Sequence, residues 1–198
     1  MRPWFLPALV MSIQCTPLEE RVKMFDAGWC ADPRSGNAAC IVDGDTLDLV
    51  GCERTLDDSG DDDRIRLLGI QAPEIASESE PADCFGDEAT EYLRFLIEGR
   101  SLRLEFDEEC YGYYNRSLAW IFISGDADDP LVEELQNFDG IGLNEDGSFE
   151  LLVNEMMVRA GYARIYEAEE EGRYFGRLQQ AEQQAAHSDQ GLWSACDG

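Results

Sequence analysis

The sequence is poor in histidine and lysine, two residue types on which many catalytic and nucleic-acid-binding proteins depend. His187 and Lys23 are the only members of their kinds in 198 residues. A single histidine, on the polar side of a predicted helix, argues against multi-histidine zinc sites and histidine-based triads. The 42 acidic side chains outnumber the 15 lysine and arginine side chains, which gives a net charge of −27. This charge disfavours nonspecific binding to nucleic acid or to an anionic membrane.

Motifs of nucleotide and redox sites are missing as well. The chain has no phosphate-binding P-loop, no paired-glycine dinucleotide fingerprint and no Cys-x-x-Cys pair. Its N-terminal apolar stretch is too short to span a bilayer and follows a single arginine. Residues 1–15 are therefore predicted to be a secretory leader or a lipoprotein-type signal, with Cys15 as the lipid-bearing residue in the second case. Gln14 stands where a lipoprotein signal usually has a small residue.

The seven cysteines are compatible with export. If Cys15 belongs to the leader, six remain, which allows three disulfides in an oxidising compartment; reduced, buried cysteines are the alternative. Cys84 opens the first predicted helix and Cys110 follows the strand that this helix feeds, so we predict a Cys84–Cys110 disulfide. Four cysteines would then form two more bridges, whose pairing the sequence leaves open: Cys30, Cys40, Cys52 and Cys196.

Hydrophobic periodicity predicts strands first and helices later. An irregular segment at 16–39 is predicted to precede the regular elements. A loop is predicted at 124–150, between the strand at 117–123 and the helix at 153–161. Strands are predicted within residues 40–50, 64–68, 101–106, 117–123 and 162–166, with a break at Gly69. Apolar spacing predicts three helices, at 85–99, at 153–161 and from Tyr174 to a closing Gly-Leu-Trp at 191–193. This order favours an α+β fold, compatible with a small barrel that carries helices.

The remaining candidates for catalytic or metal-binding residues are acidic side chains and arginines. Asp43 and Asp45 are two residues apart, which places both carboxylates on one face of an extended chain, and oxygen ligands of that kind suit a hard cation. Arg66 projects from a neighbouring predicted strand, and Glu74 follows a proline at a rigid turn. Arg116 directly precedes the long apolar strand. Each of these residues is common at protein surfaces, so only their combination points to a functional site.

Together these stretches resemble the staphylococcal nuclease (thermonuclease) family. The resemblance covers residues 40–194 and is carried, in order, by VDGDTLDL, RLLGIQAPE, CFGDEATEYLRFLIEGRSLRLEFD, YYNRSLAWIFI, LVNEMMVRAGYARI and a terminal helix ending in GLW. It implies a domain over residues 40–196 with the family's fold, a five-stranded OB-type β-barrel with three helices.

The resemblance also implies roles for particular residues. The general base falls on Glu74 and the two catalytic arginines on Arg66 and Arg116. A calcium ion would be held by Asp45, Gln71 and the carbonyl of Ala72, with Asp43 as an outer acid; Tyr114 and, by a looser alignment, Tyr166 would contact the substrate. Gln71 is a changed member of this set, because the family has a carboxylate there. A glutamine oxygen still ligates calcium but adds no charge, which should weaken the site.

Two hypotheses follow. The first is an exported, monomeric, calcium-dependent nuclease that hydrolyses phosphodiester bonds of DNA or RNA. Glu74 would accept a proton from water, and the forks of Arg66 and Arg116 would match the phosphoryl oxygens. The alternative is a nuclease-like OB module that has lost most of its catalysis and serves in binding, as Gln71 and the acidic surface favour.

Overall fold

The computed structural model describes residues 34–49, 51, 64–107, 110, 116–138, 143–166 and 172–196. The predicted leader at 1–15, most of the segment at 16–39 and Tyr114 lie outside the described residues. Among the described helices, none is both long enough and apolar enough to cross a membrane.

Strands form most of the structure around the site. The strands β1 to β9 run Arg34–Asn37, Cys40–Asp43, Thr46–Asp48, Arg64–Leu67, Ile70–Gln71, Ser101–Glu105, Ser117–Gly125, Phe149–Leu152 and Arg164–Ile165. Seven belong to one sheet with the order β1-β6-β7-β4-β3-β2, in which β8 also pairs with β7, and β5 pairs with β9 separately. The pairing of β4 with β7 is parallel, and the other pairings are antiparallel.

The large sheet is curled. Its two outer strands, β1 and β2, are joined by only two residues, Ala38 and Ala39. A flat sheet of six strands would separate its outer strands by about 24 Å, whereas the chain from Asn37 to Cys40 spans at most about 11 Å. The sheet must therefore bend until its edges approach each other, which agrees with the predicted OB-type architecture. Closure into a complete barrel stays a prediction.

Five helices lie within the described residues: α1 to α5 run Gly86–Ile97, Leu131–Leu135, Val153–Arg159, Phe175–His187 and Leu192–Ala195. The three predicted helices are confirmed as α1, α3 and α4, and the α+β class is confirmed with them. The buried positions of α1 include the predicted Ala89, Tyr92, Leu93 and Leu96.

Two segments are more regular than the sequence predicts. Residues 34–37, inside the predicted irregular segment, form β1 against β6. The predicted loop at 124–150 contains a helix, α2, at Leu131–Leu135. The end of this loop overlaps a strand, β8, at Phe149–Leu152. Pairing with β7 buries Phe149 and Leu151, so contacts distant in the sequence decide the structure of a segment that has weak local signals.

Asn154 connects the helical layer to the sheet close to the site. Its side chain is fully buried and donates to the carbonyls of Leu68 at 2.9 Å and Ala119 at 3.1 Å, while the Ile121 N–H donates to its Oδ1 at 2.9 Å. These bonds fix α3 on β7 and hold the turn that leads from β4 into β5.

The disulfide pairing differs from the prediction. Cys84 is bonded to Cys196, with their Cα atoms 5.8 Å apart, so the predicted Cys84–Cys110 bridge is wrong. The prediction that Cys196 pairs with Cys30, Cys40 or Cys52 is wrong for the same reason. Helix α5 brings the C-terminal end of the chain beside the start of α1, and nothing local in the sequence indicates that return. Cys40 and Cys110 are disulfide-bonded as well.

Candidate active site

The site lies where the turn before β3, the strand β4 and the segment after β5 meet. The antiparallel register of β3 and β4 places Thr46 opposite Arg66. One residue beyond this pair, the Leu67 N–H donates to the carbonyl of Asp45 at 2.8 Å. The turn Asp43-Gly44-Asp45 is thereby held against the end of the strand that carries Arg66.

Two glycines allow the segments of the site to approach closely. A Cβ on Gly44 would lie 2.6 Å from the Cβ of Ala72 and 2.8 Å from that of Ala89. A Cβ on Gly86, the first residue of α1, would lie 2.3 Å from the carbonyl oxygen of Glu74. Asp83 also holds Glu74, because its N–H donates to the Glu74 carbonyl at 2.9 Å and its Oδ2 accepts from the Glu74 N–H at 3.2 Å.

Asp45 is the buried carboxyl group of the site, with 2% of its surface exposed. Its Oδ1 accepts from the Thr46 hydroxyl at 3.0 Å and from Nη1 of Arg66, and its Oδ2 accepts from the Ala72 N–H at 2.8 Å. Burial raises the pKa of Asp45 to about 7, against the opposing effect of the Arg66 guanidinium. Arg66 therefore supplies the positive charge that this carboxylate needs in order to ionise.

Arg66 extends from Asp45 to the strand β5. Its Nη2 donates to Oε1 of Gln71 at 2.7 Å and to the carbonyl of Ile70 at 3.2 Å. The ring of Tyr166 lies near the Arg66 guanidinium, with its centroid 6.0 Å from Cζ of Arg66. A cation at that distance from an aromatic face is at the limit of a useful attraction.

Gln71 connects Arg66 to Glu74 through hydrogen bonds. Its Nε2 donates to the carbonyl of Ala72 at 3.1 Å and to Oε1 of Glu74 at 3.2 Å. The side chains of Asp45, Arg66, Gln71 and Glu74 are thus linked in series, from a buried carboxylate to an exposed one.

The structure brings most of the predicted site residues together. The outer acid Asp43 accepts the N–H of Asp45 at 3.0 Å. The parallel register begins with Ile65 opposite Ser117, so Arg116 stands one residue before the paired part of β7. The residues that share hydrogen bonds or a ring contact in the site are Asp43, Asp45, Arg66, Gln71, Ala72, Glu74 and Tyr166.

Sequence reasoning missed three contributors. The Thr46 hydroxyl bonds to Asp45, the Ile70 carbonyl bonds to Arg66, and Asp83 holds the backbone of Glu74. The position of Thr46 beside an acidic turn is a signal that could have been used. Asp83 stands in an exposed acidic stretch that carries no comparable signal.

Comparison with known proteins identifies the family of the chain. Residues 64–195 match the family described as Staphylococcal nuclease homologue. The chain belongs to this family. Its match covers two thirds of the chain and includes Arg66, Gln71, Glu74 and Arg116, and it supports the OB-type fold class for this nuclease homologue.

Individual relatives are distant and differ in length. The thermonuclease of Staphylococcus hyicus is 23% identical over 154 residues, which are 78% of this chain and 72% of that protein. An uncharacterized endonuclease of Escherichia coli O157:H7 is 28% identical over 168 residues, 85% of this chain and 82% of that protein. The thermonuclease of Staphylococcus intermedius is 30% identical over 83 residues, only 42% of this chain and 45% of that protein.

The calcium ligands implied by the resemblance are engaged with protein donors. Arg66 bonds to Asp45 and to Oε1 of Gln71, and the Gln71 amide bonds to the carbonyl of Ala72. In the described part of the chain, no three His, Cys, Asp or Glu side chains are grouped so as to hold a metal ion. Calcium takes six to eight oxygens, and charged ligands tune its affinity. As arranged, these residues do not fit a calcium ion.

Proposed function

We propose that this nuclease homologue hydrolyses phosphodiester bonds of DNA or RNA. The observation that carries the proposal is the continuous chain of hydrogen bonds from Asp45 through Arg66 and Gln71 to Glu74. It combines a guanidinium, which suits a phosphoryl group, with an exposed carboxylate, which suits a proton acceptor. The thermonuclease and endonuclease names of the relatives support the same reaction class.

Glu74 acts as the general base in this proposal. The oxygen of a water molecule attacks phosphorus, Glu74 takes one of its protons, and the ester bond to the leaving oxygen breaks. The leaving oxygen takes a proton from solvent. The backbone of Glu74 is bonded to Asp83 on both sides, and its Oε1 accepts from Gln71, so the carboxylate has a defined direction.

Arg66 and Arg116 neutralise the phosphoryl oxygens in this proposal. The bonds from Arg66 to Asp45, Ile70 and Gln71 engage three of its five N–H groups, which leaves two that have no acceptor among the described residues. Arg116, which directly precedes β7, would supply a second fork. Donors aimed at charge that develops in the transition state are worth about 10²–10³-fold in rate each.

The decisive experiment measures cleavage by purified, disulfide-bonded protein of labelled single-stranded DNA, duplex DNA and RNA, with calcium or with a chelator. We expect product from at least one substrate, and a loss of about 10²–10⁴-fold in Glu74→Gln. Glu133→Gln, at an exposed position of α2, is the matched control and should keep full activity. A wild type that cleaves none of the three substrates contradicts the proposal.

A binding module remains the second candidate, because Gln71 replaces an acid of the family and Arg66 is already engaged with Asp45. It predicts retention of labelled oligonucleotides without product. Calcium dependence, which the family resemblance implies, remains a prediction that the same assay tests, and the engaged oxygens of the site speak against it.

We also propose export to an oxidising compartment. The bridge between Cys84 and Cys196 and the bonded states of Cys40 and Cys110 support it, since such bonds persist outside reducing cytosol. Expression of the full chain in a bacterium, followed by fractionation and thiol alkylation, tests this proposal. Protein found in the cytosol with all cysteines alkylated would refute it.

A further inference from the structure

The amide of Gln71 matches its surroundings in a way that a carboxylate would not. Its Oε1 faces a donor, Nη2 of Arg66, while its Nε2 faces two acceptors, the carbonyl of Ala72 and Oε1 of Glu74. An aspartate or glutamate there would direct a second oxygen at those two acceptors, a repulsion that a bound cation would relieve. Glutamine supplies the two N–H groups that make such a cation unnecessary.

Arg66 already supplies the positive charge on the other side. The guanidinium contacts Asp45 directly and bonds to Gln71, so it lies between the two side chains that would ligate a metal ion. Asp45 and Arg66 are both buried, with 2% and 9% of their surfaces exposed. A divalent cation would have to displace Arg66 or share one buried carboxylate with it, and either change is costly because both groups are buried.

We propose that the guanidinium of Arg66 fills the cation position of this site, and that the chain takes no calcium ion there. Cleavage of phosphodiesters would then depend on Glu74 and the arginines and proceed without bound calcium. This second part rests on the proposed nuclease function; the occupation of the cation position does not.

The first test follows thermal unfolding of the full, oxidised protein while calcium is raised to about 10 mM, above the roughly 10⁻⁴–10⁻³ M of weak extracellular calcium modules. Wild type should show no calcium-specific change in Tm relative to added sodium chloride of equal ionic strength. Gln71→Asp restores a second carboxylate and should gain about 3–6 °C at ten times its Kd. Gln71→Glu, closer in length to glutamine, serves if Gln71→Asp does not fold.

Gln179→Asp and Gln179→Glu make the same change of charge at an exposed position of α4 and should stay unresponsive. A rise of several degrees in wild type that magnesium does not reproduce would overturn the inference. Carboxylate variants at Gln71 that fold and remain as unresponsive as the Gln179 controls would also overturn it, because the amide would then have no bearing on cation binding.

The second test compares rates of cleavage in calcium and in chelator. Equal wild-type rates support the inference, whereas activity that chelator abolishes and calcium restores would overturn it. If no substrate is cleaved in either condition, the proposed function fails, and the calcium titration alone still decides whether Arg66 fills the cation position.

Discussion

At the scale of single residues, the site depends on the shape of the guanidinium as much as on its charge. Arg66 bonds in three directions at once, to Asp45, to the Ile70 carbonyl and to Gln71. An ammonium group can be placed at one of these positions but cannot span all of them. Arginine is therefore required even where the net charge of the site would stay the same.

Arg66→Lys and Arg116→Lys should each lower kcat/KM by about 10²–10³-fold, because lysine keeps the charge but loses the planar fork. Steady-state cleavage of a labelled oligonucleotide measures the loss, and urea unfolding separates it from misfolding. Arg94→Lys, on a partly exposed part of α1, is the control and should behave as wild type. Near-normal turnover in the Arg66 and Arg116 variants would mean that these arginines serve only the fold.

Gly86→Ala should displace Glu74. The added methyl carbon would lie 2.3 Å from the Glu74 carbonyl, so the backbone of the general base must move. We expect a lower kcat and a loss of about 1–3 kcal/mol in the free energy of unfolding. Gly176→Ala in α4 meets nothing within 4 Å and should instead stabilise the protein by about 0.5–1 kcal/mol. Equal effects of the two substitutions would show that contact with Glu74 is unimportant.

At the scale of elements, the Cys84–Cys196 bridge ties α5 to the residues that precede α1. It closes a separation of 112 residues, and Cys84 stands two positions before the glycine that packs on Glu74. The bridge therefore connects the C-terminal end of the chain with the segment that positions the general base.

Replacing both cysteines, in Cys84→Ser/Cys196→Ser, should lower the free energy of unfolding by about 2–4 kcal/mol, because the unfolded chain regains the freedom of a long loop. Activity should fall as well, through looser positioning of Glu74, while the bonds of Cys40 and Cys110 stay in place. Urea unfolding and cleavage rates measure the two effects. Unchanged stability would show that the packing of α5 is sufficient without the bridge.

At the scale of the whole molecule, the net charge of −27 opposes a polyanionic substrate. Charges more than about 8 Å apart are largely screened at physiological ionic strength, so the repulsion acts mainly at low salt. The local arginines of the site lie close enough to a bound phosphate to act in spite of the global field.

We therefore expect kcat/KM to rise as salt is raised from about 10 to 150 mM, a range over which the Debye length shortens from roughly 30 to 8 Å. The value of kcat should change little, since the bound phosphate contacts the arginines directly. Basic nucleic-acid-binding proteins show the opposite trend, through counterion release. A steady fall of kcat/KM with salt would mean that local contacts, rather than the global charge, control association.

The sequence by itself determined the features that depend on near neighbours. The apolar spacing of Ala89, Tyr92, Leu93 and Leu96 was sufficient to predict α1, because helix periodicity is local. The motifs around Asp45 and Glu74 likewise carried the family resemblance from which the candidate site residues were predicted. In each case the information lies within a few positions of the residue concerned.

Only the tertiary structure decided which distant groups meet. The partner of Cys84 lies 112 residues away, and β8 forms because β7 covers a segment with weak local signals. The bonds of Gln71 to both Arg66 and Glu74 also required the structure, because an isolated sequence does not give the direction of an amide. The physical reason is common to all three: such contacts depend on how the whole chain returns on itself, and that is set by the packing of the complete core.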